Sequence, residues 1–185
     1  MEAAARCMRN EGDGVSMTRI AEVAGYSIGT LYQYFPDRRS LLCELMHDMC
    51  EADLEAVTGL LPQLEGVDIG TRVDRVVDLL VESASTNRAL IRALVRDVLP
   101  TLEAGDFDDL LPAMTALLAA DLERYAADLG IRDYAMTARL ILVGVEAILF
   151  DTAVDHPEDF DDGSLRTEVR MLVRGYLGVG PAIAS

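Results

Sequence analysis

The chain contains no lysine and no tryptophan, and only 5% of its 185 residues are aromatic. All sixteen of its basic residues are arginine, which excludes both a Schiff-base lysine and the lysine of a phosphate-binding P-loop. Three cysteines, Cys7, Cys43 and Cys50, are an odd number without framework spacing and point to a reduced intracellular protein. The most apolar stretch, Leu140 to Phe150, is about half the ~20 residues a membrane-spanning helix needs, and it carries Glu146. Met1 to Glu11 lacks the apolar core of a signal peptide. These absences predict a soluble cytoplasmic protein without cofactor or metal.

Acid and aliphatic side chains are what the chain has in quantity. Thirty-two Asp and Glu give a net charge of −16, and 51% of residues are hydrophobic, which suits a globular Ala/Leu/Val-rich protein rather than a disordered acidic one. Apolar residues recur at helical spacing, no run of β-branched residues alternates, and no fixed-period repeat is visible. The fold class is therefore all-α, with about nine helices.

The first helix covers Met1 to Glu11 and stops at Gly12. The second follows Ser16 over Thr18 to Ala24 and ends at Gly25, which can take the left-handed conformation past a helix end. Ser27 caps a third, Ile28 to Tyr34; Pro36 blocks its continuation, and Asp37 caps a fourth that Leu41, Leu42, Leu45, Met46 and Met49 carry towards Gly59 and Pro62. Glu44, Asp48, Glu51 and Glu55 form an acidic stripe on the fourth helix, read as a solvated face. Val73, Val76, Val77, Leu80 and Val81 mark a fifth helix, and Leu90, Ile91, Leu94, Val95 and Val98 a sixth behind the cap candidate Thr86. A seventh is expected from about Asp109 to Leu129. The eighth, Asp133 to Asp155, is apolar almost all round, and the ninth, Ser164 to Leu177, presents Leu165, Val169, Leu172, Val173 and Tyr176 as one stripe.

Two short helices joined by Gly25-Tyr26-Ser27 make the outline of a helix-turn-helix. In that shape a first helix props a second across the major groove, where base edges are distinguishable. Ile20, Ala21 and Ala24 would face the core, Leu31 and Phe35 would anchor the second helix, and Ser27, Ile28, Gly29, Thr30, Gln33 and Tyr34 would stay available.

The run Thr18-Arg19-Ile20-Ala21-Glu22-Val23-Ala24-Gly25, followed by Ser27-Ile28-Gly29-Thr30-Leu31-Tyr32-Gln33-Tyr34-Phe35-Pro36-Asp37-Arg38-Arg39-Ser40-Leu41-Leu42, resembles the TetR/AcrR transcriptional regulators over about residues 3 to 46. The remainder agrees with that family in helix count, order and length. The resemblance implies a DNA-binding head over residues 1–46 and a ligand-binding and dimerisation domain over 47–185. It implies that Thr18 caps its helix and touches a phosphate, that Ser27, Ile28, Gly29 and Thr30 enter the groove, and that Tyr32, Tyr34 and Arg38 reach phosphates. Partial core packing is the competing role for the two tyrosines. Gln33 is the best base reader, since its amide pairs bidentately with adenine, and Ile28 suits a thymine methyl.

Two departures from the family pattern bear on affinity. The chain opens within its first helix, as Met1-Glu2-Ala3, without a basic arm, and Ile28 stands where the family often places lysine. Residues 1 to 50 hold five Arg against seven acids. Because non-specific affinity comes mostly from phosphate neutralisation, weak non-specific binding with a shallow salt dependence is expected.

For the rest of the chain, the resemblance implies a small-molecule pocket enclosed by helices four to seven, and dimerisation through helices eight and nine. Asn87 and the four-spaced Arg88, Arg92 and Arg96 are pocket candidates, the competing reading being an exposed arginine stripe paired with acids such as Glu82. Tyr125 and Glu146 are weaker candidates, Glu146 being equally suited to pairing with Arg139 or to an interface. Leu142, Leu149, Val169, Leu172, Val173 and Tyr176 are the expected dimer contacts, supported by an eighth helix too apolar for one flank to hide. Cys43, His47 and Cys50 share a helix face with metal-ligand spacing, but no fourth ligand is near, and packing is the reading preferred.

The function expected is a ligand-responsive regulator, most simply a homodimeric repressor released from a pseudo-palindromic double-stranded DNA operator by a small molecule. The alternative is a dimeric small-molecule-binding protein that has lost DNA recognition. An enzyme is disfavoured, because no catalytic triad or dyad assembles without arbitrary choices.

Overall fold

The computed structural model describes residues 1–101, 110–127, 129–131 and 133–180, with Thr101 and Leu110 placed as backbone only. Among these residues there are ten α-helices and no strand: α1 Glu2–Glu11, α2 Met17–Ala24, α3 Ile28–Tyr34, α4 Arg38–Leu60, α5 Ile69–Thr86, α6 Arg88–Asp97, α7 Leu110–Glu123, α8 Tyr134–Asp155, α9 Asp159–Asp162 and α10 Ser164–Leu177. The helix beyond the expected nine is the single turn α9, between the expected eighth and ninth helices. No helix among the described residues is long and apolar enough to cross a membrane.

Local chemistry accounts for half of the ten helix starts. The side chains of Ser16, Ser27, Asp37, Asp68 and Asp133 each accept a hydrogen bond from a backbone N–H three residues on, at 3.2, 3.0, 2.7, 3.0 and 2.8 Å respectively. Such caps satisfy amides that have no partner within the helix. Gly25 ends α2 with φ 76° and ψ 23°, in the left-handed region where a Cβ is costly.

Two boundaries differ from expectation. Thr86 is not a cap: α5 continues through it, and Asn87 forms the joint by donating its side-chain amide to the Ser83 carbonyl at 3.0 Å. The helix expected to reach Leu129 ends at Glu123, where the chain passes into tighter turns. Its expected beginning at Asp109 lies outside the described residues. The turn carries Tyr125 under the Arg72 guanidinium, 5.6 Å from its ring centroid, with the hydroxyl donating to the Val67 carbonyl.

Packing divides the interior into a head cluster, a body cluster and a smaller group between α4, α7 and α8. The head is built on Met8, Ile20, Ala21, Leu31, Leu41, Leu42 and Leu45. It also takes in Leu90, Ala93, Leu94 and Val98 from α6 and the residue beyond its end, while Ile91 of the same helix belongs to the body. The two faces of α6 therefore join two cores, and α4 crosses residue 46 without a break.

Candidate functional site

The face of α3 is built by contrast between one buried anchor and its exposed neighbours. Leu31 is buried, whereas Ser27, Ile28, Gly29, Tyr32, Gln33 and Tyr34 are exposed and Thr30 is partly so. Core packing does not claim the tyrosines: Tyr32 is 49% and Tyr34 75% exposed. The Ser27 and Thr30 hydroxyls share a hydrogen bond of 2.8 Å, so the cap also fixes two polar groups at the start of this face. Thr18 is exposed beside it at the start of α2, although the α2 cap is Ser16 rather than Thr18. Tyr26, 63% exposed in the turn, extends the face and was not singled out from the sequence.

Arg38 is placed differently from a phosphate grip. Its side chain is 26% exposed, its Nε donates to Asp97 at 3.1 Å, and its other nitrogens donate to the backbone carbonyls of Val15 and Asp13. The guanidinium is consumed in tying the α1–α2 connection to the end of α6. A second arginine of the head, Arg19, is paired with Glu11 at 3.0 Å and Glu22 at 3.5 Å.

The arginine stripe of α6 likewise faces acids rather than a pocket. Arg96 pairs with Asp13 at 2.6 Å and with Asp97 at 2.7 Å, Arg92 approaches Asp13 at 3.7 Å, and Arg88 pairs with Asp161 at 3.1 Å. The partners are not Glu82, which takes Arg166. Asn87 is engaged with Ser83, and Tyr125 with Val67 and Arg72. These five side chains are therefore engaged within the protein instead of lining the apolar space of the body.

That space is a cavity of about 270 Å³ among α4, α5, α6, α7 and α8, walled by apolar side chains such as Met49, Leu80, Ile91, Met114 and Phe150. Of the pocket candidates Glu146 alone lines it, together with Cys50, Asp53 and Ser83. Glu146 is exposed as a residue, yet protein crowds its carboxyl closely enough for desolvation, reinforced by Asp53, to push it up to about 7. Desolvation also raises Asp53, against a hydrogen bond from Ser83 that lowers it. Burial, with Glu146 and Asp53 nearby, pushes the Cys50 thiol up to about 12, which makes it an unreactive wall residue. No Arg139–Glu146 pair forms, Arg139 instead approaching the Met136 sulfur.

His47 is exposed, with its Nδ1 3.8 Å from the Glu51 carboxylate. Cys43 and Cys50 are partly buried, so the helical spacing reflects packing, and the solvated stripe of Glu44, Asp48, Glu51 and Glu55 is exposed. The expected dimer contacts separate by helical phase. Leu142, Leu149, Val169 and Val173 are buried in the chain's own core, whereas Leu172 and Tyr176 are each 53% exposed. The outer face of α8 consists instead of Met136, Leu140, Val143 and Val154.

A three-helix head presenting an exposed recognition helix, on a helical body with an apolar cavity, defines a helix-turn-helix DNA-binding regulator. Residues 1–45 match the family model described as bacterial regulatory proteins, tetR family. Over nearly the whole chain the fold is similar to FadR of Bacillus halodurans, a fatty acid degradation regulator, at 16% identity and TM-score 0.67, covering 94% of this chain and 95% of that one. It is similar to FadR of Thermus thermophilus, a TetR-family repressor solved with lauroyl-CoA, at 18% identity and TM-score 0.63, covering 100% and 96%. Salmonella enterica GusR is 26% identical with TM-score 0.59 over 96% of this chain and 92% of its own. No match was found among curated proteins. The head is thus similar to that of tetR-family bacterial regulatory proteins, and the overall fold is similar to that of solved TetR-family regulators.

Proposed function

We propose that the protein is a homodimeric, cytoplasmic repressor that leaves a pseudo-palindromic operator when a small molecule enters the body cavity. The observation that carries this reading is the exposed α3 face, in which Ser27, Ile28, Thr30, Tyr32, Gln33 and Tyr34 surround one buried anchor, Leu31. Gln33 reads a base, and the hydroxyls of Ser27, Thr30, Tyr32 and Tyr34, with Thr18, meet phosphates. With Arg38 and Arg19 engaged by carboxylates of the chain itself, hydroxyls carry more of the backbone contact than charge does.

Coupling runs through α6 and α4. Ile91 touches the cavity while Leu90, Ala93 and Leu94 lie in the head core, and Met46 and Met49 line the cavity from the helix that follows the recognition helix. A ligand that fits only one setting of these helices selects the corresponding spacing of two heads in a dimer. Lauroyl-CoA in the Thermus protein is a precedent for a bound small molecule in this fold, not for its chemistry here.

The test is selection of bound sequences from a random duplex pool by the purified protein at two salt concentrations. An enriched inverted repeat is expected, with half-sites about one helical turn or a multiple apart. Gln33→Ala should then relax preference at one position per half-site, at a cost of about 1–3 kcal/mol. A folded dimer that enriches nothing would replace this reading with a ligand-binding protein lacking DNA recognition.

A further inference from the structure

The cavity that carries the regulatory reading also has a chemical bias. Its walls are mostly aliphatic, aromatic or thioether side chains, and its polar positions are Cys50 and Asp53 of α4, Ser83 of α5 and Glu146 of α8. Among the described residues no arginine lines it. The neighbouring arginines are committed elsewhere: Arg88, Arg92 and Arg96 to Asp161, Asp13 and Asp97, and Arg72 to Asp121.

Two carboxylate residues thus line one apolar enclosure from different helices, Asp53 half-buried and Glu146 exposed, and among the described residues Asp53 is met there by the neutral Ser83 hydroxyl rather than by a cation. Even partial removal of a carboxylate from water is costly unless an opposite charge compensates it. Two carboxyls close enough to oppose each other's ionisation add repulsion to that cost. A cationic guest would relieve both terms, while a carboxylate or phosphate guest would add a third like charge.

Resting on the reading of this cavity as the effector site, we propose that its ligand is an organic cation, a compact apolar body bearing one ammonium group, held between Asp53 and Glu146. The volume of about 270 Å³ suits a body of one ring and a short chain, just below the range of about 300–1,000 Å³ usual for drug-sized ligands. Met46, Met49 and Met114 give the wall an adaptable, polarisable surface that tolerates variation in that body. The ammonium is set towards α4 and α8, the apolar body towards Leu80, Ile91 and Phe150.

Calorimetric titration of the intact protein at pH 8 with three probes sharing one body tests the assignment: 4-phenylbutyltrimethylammonium, 4-phenylbutanol and 4-phenylbutanoate. The ammonium should bind about tenfold or more tighter than the carboxylate, with the alcohol between them. The double variant D53N/E146Q should lose about tenfold for the ammonium yet keep its affinity for the alcohol, showing that the cavity is intact. Equal or tighter carboxylate binding, no ammonium binding by the folded protein, or undiminished ammonium affinity in the variant would each overturn the proposal. The same probes are then added to protein bound to its selected duplex. Ammonium binding without release sinks the regulatory reading and leaves the cation site standing; release by the carboxylate alone does the reverse.

Discussion

Glu146 is the residue at which the cost of the cavity becomes measurable without a ligand. In the unfolded chain its carboxyl titrates at an ordinary 4.5, and in the folded protein at about 7. Between these values the folded state binds the proton more tightly, so stability from this group falls as pH rises from about 4.5 to 7 and stays low above that window. Asp53, also raised, contributes in the same direction, whereas Asp37, Asp68, Asp97 and Asp162 are lowered and lose their contribution only in more acidic solution. Glu146→Gln should therefore raise the Tm at pH 7.5 by about 2–4 °C, a figure discounted for the accessible surface of Glu146, and by much less at pH 5. Melting curves across pH 5 to 8 check this, and an unchanged slope in the variant would remove Glu146 as its source. At the residue scale, what depends on near neighbours was legible in the sequence: the Ser27 and Asp37 caps and the Gly25 turn are set within a few positions. Arg38 was not, because its Asp97 partner lies 59 residues away and only tertiary packing brings them together.

Among elements, α5 and α10 meet through matched rows of opposite charge. Asp74, Asp78 and Glu82 recur every four residues on α5, and Arg174, Arg170 and Arg166 answer them in antiparallel order on α10. Burial grades the three pairs. Arg174 and Asp74 are 8% and 16% exposed, Arg170 and Asp78 are 34% and 26%, and Arg166 and Glu82 are 39% and 69%. Breaking the buried end should cost about 3–5 kcal/mol for Arg174→Ala, because Asp74 would be left without its main partner. Breaking the solvated end should cost no more than about 1 kcal/mol for Arg166→Ala. Urea unfolding of the two variants measures the ratio, and equal losses would show that burial does not set the strength of this ladder. Gly70 makes room at its inner end, since a Cβ there would collide with the Arg174 guanidinium. The four-residue spacing of both rows was present in the sequence as fully as that of Arg88, Arg92 and Arg96. Spacing reveals that a stripe exists, and only the packed neighbour reveals which stripe it meets.

For the whole molecule, the phase of α8 and α10 separates what folds the chain from what would pair two chains. A helix apolar on nearly every side was read as a dimer element, and its two faces prove to have different destinations: Leu142, Val145 and Leu149 complete the core, while Leu140 and Val143 are 48% and 44% exposed. On α10 the same division sets Val169 and Val173 inside against Met171, Leu172 and Tyr176 outside. The amphipathic pattern was legible, but its register was not, since composition alone cannot tell an inner apolar face from an outer one. Exposed aliphatic and aromatic side chains on two helices of a chain with net charge −16 are best accounted for by an isologous twofold contact that covers them. Leu172→Glu should then yield a folded monomer, placing a charge where apolar surface is to be buried while leaving the core untouched. Leu142→Glu should instead unfold the protein, because the charge enters its interior without a partner. Sedimentation velocity and circular dichroism read the two outcomes separately: a Leu172→Glu protein that remains dimeric at micromolar concentration would put the interface elsewhere, and a folded Leu142→Glu protein would mean that α8 turns a different face to the core.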